Sequence, residues 1–161
     1  MQSFLAIYPP QLLILFAGIL GLLVGSFLNV VIYRLPVMME RGFRVEATGI
    51  LNGEVAALKE AEAQSRFNLV VPRSRCPKCK SQITAVQNIP VISWLVLRGK
   101  CAHCKMPVSA RYPVIEAVTG MLTALIIFKL GANWAGIGGM LLLWSLIALT
   151  MIDYDTQLLP D

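Results

Sequence analysis

Three apolar runs punctuate this chain, separated by one long polar stretch and one short turn. The first extends from about Gln11 to Tyr33 without a charge. The second runs from about Pro113 to Leu130, with Glu116 near its start and Lys129 near its end. The third runs from about Trp134 to Ile152, again uncharged. A helix crosses a hydrocarbon core of about 30 Å with about 20 apolar residues. The pattern therefore predicts three transmembrane helices, with Gly131 to Asn133 as a short turn between the second and third. The first run has no basic segment before it, is long for a cleavable signal and lacks a clean small-x-small site after it, so it reads as a retained anchor.

Composition agrees, with 57% hydrophobic residues, 14% charged residues and a mean hydropathy of +0.68. Of the 14 Lys and Arg residues, 13 fall between Arg34 and Arg111. Positive loops stay in the cytoplasm. That places the stretch Arg34 to Tyr112 inside and the N-terminus outside. Asp153 then lies near the cytoplasmic face. The chain divides into an anchor at 1–33, a cytoplasmic domain at 34–112 and two further spans at 113–161.

All four cysteines sit in that cytoplasmic stretch, as Cys76-Pro-Lys-Cys79 and Cys101-Ala-His-Cys104, separated by 21 residues. Two Cys-x-x-Cys knuckles at this distance suit a tetrahedral zinc site with four thiolate ligands. Local disulfides fit poorly with a reducing cytoplasm. Four unrelated thiols, or His103 in place of one cysteine, are weaker readings. Four thiolates also close the metal to water, which argues for structural rather than hydrolytic zinc. A stretch of about 79 residues is small for a large core, and metal binding supplies folding free energy directly.

Within the stretch, Glu54 to Arg66 (EVAALKEAEAQSR) predicts a solvated helix. Phe67 to Pro72 (FNLVVP) predicts a short strand entering the first knuckle. Ile83, Thr84 and Ile89 to Leu97 are expected to supply apolar packing, with Pro90 limiting any strand there. Leu97 to Lys100 should turn into the second knuckle. The nearby cations Arg73, Arg75, Lys78, Lys80, Lys100 and Lys105 suit anionic lipid headgroups better than nucleic acid. No nucleic-acid partner is expected.

Three small-residue positions, Gly18, Gly21 and Gly25, are spaced for close helix packing. Asn29 is a polar group for an interhelical hydrogen bond or a cavity. Arg34 and Pro36 are expected to mark the exit of the first helix. At the far end, Asp153 follows the third run directly, where dehydration favours its neutral form. Such a carboxyl can take part in proton transfer, as in aspartyl proteases, where two carboxyls share a proton. Asp155 points to another helix face, and Asp161 is eight residues from Asp153, so the three form no evident dyad. Marking the helix end at the water interface is the simpler reading of these acids.

Several segments in order resemble the type IV prepilin peptidases, bifunctional leader peptidases and N-methyltransferases. They are Gly25 to Pro36 (GSFLNVVIYRLP), Met38 to Arg41 (MMER), the two Cys-x-x-Cys pairs, Asn88 to Trp94 (NIPVISW), Arg111 to Glu116 (RYPVIE) and Ile152 to Asp161 (IDYDTQLLPD). The resemblance implies a membrane-embedded aspartic endopeptidase that cleaves prepilin or pseudopilin leaders at the cytoplasmic face of the bacterial inner membrane. It also implies methylation of the new N-terminus from S-adenosylmethionine, and it matches Asp153 to the first catalytic aspartate. The family's second aspartate lies in a Gly-x-Gly-Asp motif, which this sequence lacks. The expectation is therefore an N-terminal portion with no proteolysis of its own. No glycine-rich loop locates the methyl donor, and Glu40, Arg41 and Glu46 are guesses for its pocket. Two other readings remain open: a non-enzymatic membrane-anchored zinc module that docks a partner, and a metal or redox sensor built on the same thiols.

Overall fold

A computed structural model describes residues 9–52 and 67–157. The expected helix at Glu54 to Arg66 and the residue Asp161 lie outside the described residues. Among the described residues, three helices are long and apolar enough to cross a membrane. They are α1 (Pro10–Asn52), α3 (Arg111–Leu130) and α4 (Trp134–Thr156); the short α2 (Ile92–Val96) lies in the polar stretch. The fold is α-helical and polytopic, with a four-cysteine cluster between the first and second spans.

The first helix corrects one expectation. Arg34 and Pro36 do not mark its exit; α1 continues through both to Asn52, 43 residues in all. Proline withholds one donor, the N–H that would reach the Ile32 carbonyl, but it leaves the remaining ladder intact. The residues after it (VMMERGFRVEA) include several good helix formers. The Arg44 guanidinium also reaches back 2.6 Å to Glu40, an i,i+4 pair on the helix surface. At 1.5 Å per residue, α1 is about 65 Å long, roughly twice a hydrocarbon core.

The glycine spacing has the expected purpose. A Cβ on Gly21 would meet Thr123 at 2.6 Å and the Gly120 Cα at 2.8 Å; one on Gly25 would meet the Glu116 Cα at 2.8 Å. The backbones of α1 and α3 therefore approach closer than any other residue allows. Thr119 and Thr123 fill the seam with no exposed surface. Their hydroxyls donate to the Ile115 and Thr119 carbonyls, so burying them leaves no unpaired donor. The α4 helix closes the bundle, and its Trp144 Nε1 donates to Thr123 Oγ1 at 3.0 Å. Leu28, Ile32, Ile115 and Ile152 form the core, at the end of the bundle nearest the cysteine stretch. The outward residues, such as Phe16, Leu23, Met121 and Leu142, are apolar and exposed, as lipid-facing positions are.

The turn between α3 and α4 is as expected. Gly131 takes φ +76°, and the Asn133 side chain accepts from the Ala135 and Gly136 N–H groups, capping α4.

Candidate metal centre and membrane-boundary carboxylates

The cysteine module repeats itself at an interval of 25 residues. In the first knuckle, Cys76 N–H donates to the Ser81 carbonyl and Lys80 N–H to the Cys76 carbonyl. In the second, Cys101 N–H donates to the Met106 carbonyl and Lys105 N–H to the Cys101 carbonyl. An antiparallel bridge closes each, Arg75 with Gln82 and Lys100 with Pro107. Lys80 and Lys105 both take φ +58°, the left-handed turn that folds each Cys-x-x-Cys-Lys back on itself. The sequence repeats with it, as Cys-x-x-Cys-Lys-x-x-[Ile/Val]-[Ser/Thr]-Ala at 76–85 and 101–110, which makes two equivalent half-sites.

The half-sites face each other. All four Sγ atoms lie within 4.8 Å of one another. The closest crossings are Cys76 to Cys104 at 3.7 Å and Cys79 to Cys101 at 4.0 Å. Those separations are far beyond a disulfide bond, and the four are free cysteines. Four sulfurs about 2.3 Å from a central zinc would be about 3.8 Å apart. The donor set therefore fits a tetrahedral thiolate metal, and the cluster could hold one. His103 is exposed and outside the cluster.

The thiols are not equivalent. The Ser81 side chain lies 3.0 Å from Cys79 and, with the Ser81 backbone, brings that thiol down to about 6. Backbone hydrogen bonds from Cys104 and then His103 lower Cys101. For Cys104, the Met106 backbone lowers the thiol, but desolvation and the neighbouring sulfurs outweigh it and hold it up at about 11. One cluster thus stabilises negative charge on some sulfurs and a proton on another. Ser81 was not singled out from sequence, although a hydroxyl two residues after a knuckle cysteine is a readable signal.

Little apolar burial supports the module. Among the described residues of 67–110, only Cys76, Pro90 and Gly99 are buried. The expected packing by Ile83 and Ile89 to Leu97 is partial: Pro90 is buried and Trp94 covers Gly99, but Ile92, Leu95 and Val96 are largely exposed. The expected strand at Phe67 to Pro72 is also absent. The Asn68 side chain accepts from the Val70 and Val71 N–H groups and bends the segment instead. Backbone pairing to a side chain at i+2 and i+3 competes with a ladder. The turn into the second knuckle is as expected, with Arg98 at φ +52° and Gly99 at φ +66° beneath Trp94.

Polar clamps tie this module to the bundle. Arg34 is buried, and its two terminal nitrogens donate to the Asn68 carbonyl at 2.7 Å and the Pro72 carbonyl at 2.5 Å. Phe67 lies under both Arg34 and Arg41. Glu116, buried in α3, accepts from the Val91 N–H at 2.7 Å. Asn29 makes the interhelical bond, donating to the Tyr112 carbonyl at 3.2 Å. Of the guesses for a methyl-donor pocket, Glu40 pairs with Arg44 and Arg41 stacks on Phe67, while Glu46 has no such contact among the described residues.

The terminal acids separate by role. Arg111 grips Asp155 with both nitrogens, each 2.6 Å from one carboxylate oxygen. That fork locks the start of α3 to the end of α4. Asp153 is exposed, one residue after the core residue Ile152, and among the described residues no ion pair or hydrogen bond engages its carboxylate. The end of α4 that carries it is therefore the end facing the cysteine module. The Arg111–Asp155 pair was missed from sequence because it spans 44 positions.

Comparison with known proteins converges on one family. Residues 19–130 match the model of the bacterial peptidase A24 N-terminal domain. A prepilin leader peptidase/N-methyltransferase from Neisseria gonorrhoeae is 55% identical over 145 residues, covering 90% of this chain and 49% of that protein. One of the same name from Stutzerimonas stutzeri is 49% identical over 94% of this chain and 51% of its own. A third, from Pseudomonas putida, is 46% identical over 99% of this chain and 53% of its own. The chain spans about half the length of the curated relatives it matches. No solved structure matches it.

Proposed function

The chain belongs to the bacterial peptidase A24 N-terminal domain family, and from that premise we propose that it serves prepilin leader cleavage and N-methylation. The substrates in this reading are type IV prepilins or pseudopilins in the bacterial inner membrane. Their leaders are cut at the cytoplasmic face, and the new N-terminal residue is methylated from S-adenosylmethionine. The division into an anchor at 1–33, a cytoplasmic zinc-binding domain at 34–112 and two spans at 113–161 belongs to the same reading. So does the cytoplasmic side of the cysteine module, supported by the concentration of Lys and Arg between Arg34 and Arg111.

The observation that carries the proposal is the contrast between Asp153 and Asp155. Asp155 is held by Arg111, so its carboxylate positions helices. Asp153, beside a core residue at the module end of the bundle, has no such partner among the described residues. A scissile bond just outside a membrane span would meet a carboxyl at that depth. Asp153 is assigned as one of the two carboxyls of an aspartyl site, holding or moving a proton on the attacking water. Cys76, Cys79, Cys101 and Cys104 are assigned to a structural zinc ion, which when bound supplies folding energy to a module with almost no core. No residue is assigned to the methyl donor.

In the full-length gene product, assayed in membranes, Asp153→Asn is expected to abolish prepilin cleavage while zinc content stays at the wild-type level. Normal processing by the variant sinks the catalytic assignment and brings forward the reading as a membrane-anchored docking module.

A further inference from the structure

We propose that the turn from Ile89 to Leu97, including α2, inserts into the bilayer beside the bundle, with Ile92, Leu95 and Val96 in contact with lipid acyl chains. Depth is the first argument. A Cβ on Gly25 would lie 2.8 Å from the Glu116 Cα, so Glu116 is level with Gly25 of α1. Gly25 precedes Arg34, the first charge of α1, by nine residues, or about 13 Å of helix. A glutamate carboxylate reaches about 5 Å from its own Cα. The Val91 N–H donates to that carboxylate at 2.7 Å. Even at full reach, Val91 lies about 6 Å deeper than Arg34, level with the Arg111–Asp155 pair that marks the polar boundary of α3 and α4. The Asn29 bond to Tyr112 gives the same depth to the start of α3, five residues inside Arg34.

Surface chemistry is the second argument. Ile92 is 59% exposed, Leu95 60% and Val96 74%. On α3, which carries the Glu116 that Val91 reaches, Val114 and Val118 are also exposed. Exposed cations follow at once, Arg98 and Lys100, suited to headgroups just above.

Polar satisfaction is the third. A segment in contact with lipid must pair its own donors. Here the N–H groups of Ile89, Ile92, Ser93, Leu95 and Leu97 all donate to carbonyls of the same segment or the turn before it. The Ser93 hydroxyl donates to the Gln87 carbonyl, and Trp94 Nε1 to the Val108 carbonyl. Apolar side chains outward with polar groups turned inward is the arrangement of an interfacial anchor. Its consequence is that the metal module is held against the membrane by lipid as well as by the bundle.

The test is methyl NMR of the full-length protein, isoleucine-labelled, in nanodiscs of phosphatidylethanolamine and phosphatidylglycerol. Ile92→Leu assigns the resonance without a change in polarity. Lipid spin-labelled on the acyl chain is expected to erase the Ile92 signal together with that of Ile19, a span residue. A water-soluble gadolinium chelate should leave both and erase Ile50, which lies about 24 Å past Arg34 along α1. Loss of the Ile92 signal to gadolinium overturns the proposal, because the turn is then in water. Protection from both agents also overturns it, because protein then covers the patch.

Discussion

The bundle and the cysteine module are built by opposite means. In the bundle, α1 and α3 touch through glycine and threonine, and a core of Leu28, Ile32, Ile115 and Ile152 closes it. In the module, three residues of the described 67–110 are buried, and order comes from knuckle hydrogen bonds, left-handed turns and four converging thiols. The difference shows what each environment permits. Within lipid, the backbone pairs with itself and packing decides stability. A short irregular segment buries too little apolar surface to offset its lost entropy, and four thiols that could hold a metal converge where a core would otherwise be.

The sharpest way to break this comparison is to remove one thiol. Cys76→Ser is expected to drop metal content from about one ion per chain to near none. Structural zinc contributes about 10–16 kcal/mol in zinc-finger peptides. The module should therefore lose its order, and trypsin should cut rapidly after Arg73, Lys80 and Lys100, while circular dichroism keeps the helical signal of the spans. A module that stays protected without metal would show that the polar clamps to α1 and α3 suffice.

The converse perturbation strikes the bundle alone. Gly25→Leu places a side chain against the Glu116 backbone, which cannot yield as a flexible side chain can. Overpacking of this kind costs about 1–3 kcal/mol. Unfolding in mixed micelles, followed by Trp fluorescence, should show that loss while metal content stays unchanged. A parallel loss of metal would mean that the two regions are energetically one, coupled through Glu116 and Val91.

A smaller effect sharpens the picture inside the module. In metal-stripped protein, Cys79 titrates near 6, below an ordinary thiol, because Ser81 favours the thiolate. Its contribution to stability is present above the unfolded pKa and is lost as pH falls through about 6. Cys104 is held up near 11, so its contribution is present below the unfolded pKa and is lost as pH rises through about 11. Alkylation at pH 7 should therefore label Cys79 before Cys104, and Ser81→Ala should slow the labelling of Cys79. Equal rates at both cysteines would show that the module does not discriminate its thiols before metal arrives.

Much of this was legible along the chain. The spans, the turn at Gly131 to Asn133, the glycine seam and the meeting of the four cysteines could be read because each depends on local spacing or on a single run of hydropathy. The errors share a cause. Pro36 signals a helix end, yet it costs only one hydrogen bond in a long ladder, and the favourable residues after it carry α1 to Asn52. Phe67 to Pro72 has strand composition, but the Asn68 side chain takes its donors and Arg34 takes two of its carbonyls. Ile89 to Leu97 has core composition, yet its Ile92, Leu95 and Val96 face outward.

Sequence alone determined the three-helix membrane class, the paired knuckles and the family resemblance, because periodicity, hydropathy and Cys-x-x-Cys spacing are properties of short segments. Tertiary structure alone decided how the acids divide, which arginine is buried and where the cysteine module sits. Asp153 and Asp155 are two residues apart and chemically identical, and only Arg111, 44 positions away, makes one of them a clamp. Arg34 is one of 13 cations in its stretch, and only the carbonyls of Asn68 and Pro72 let its charge be buried. Those distinctions rest on contacts between residues far apart in the chain, which form only once the helices have packed.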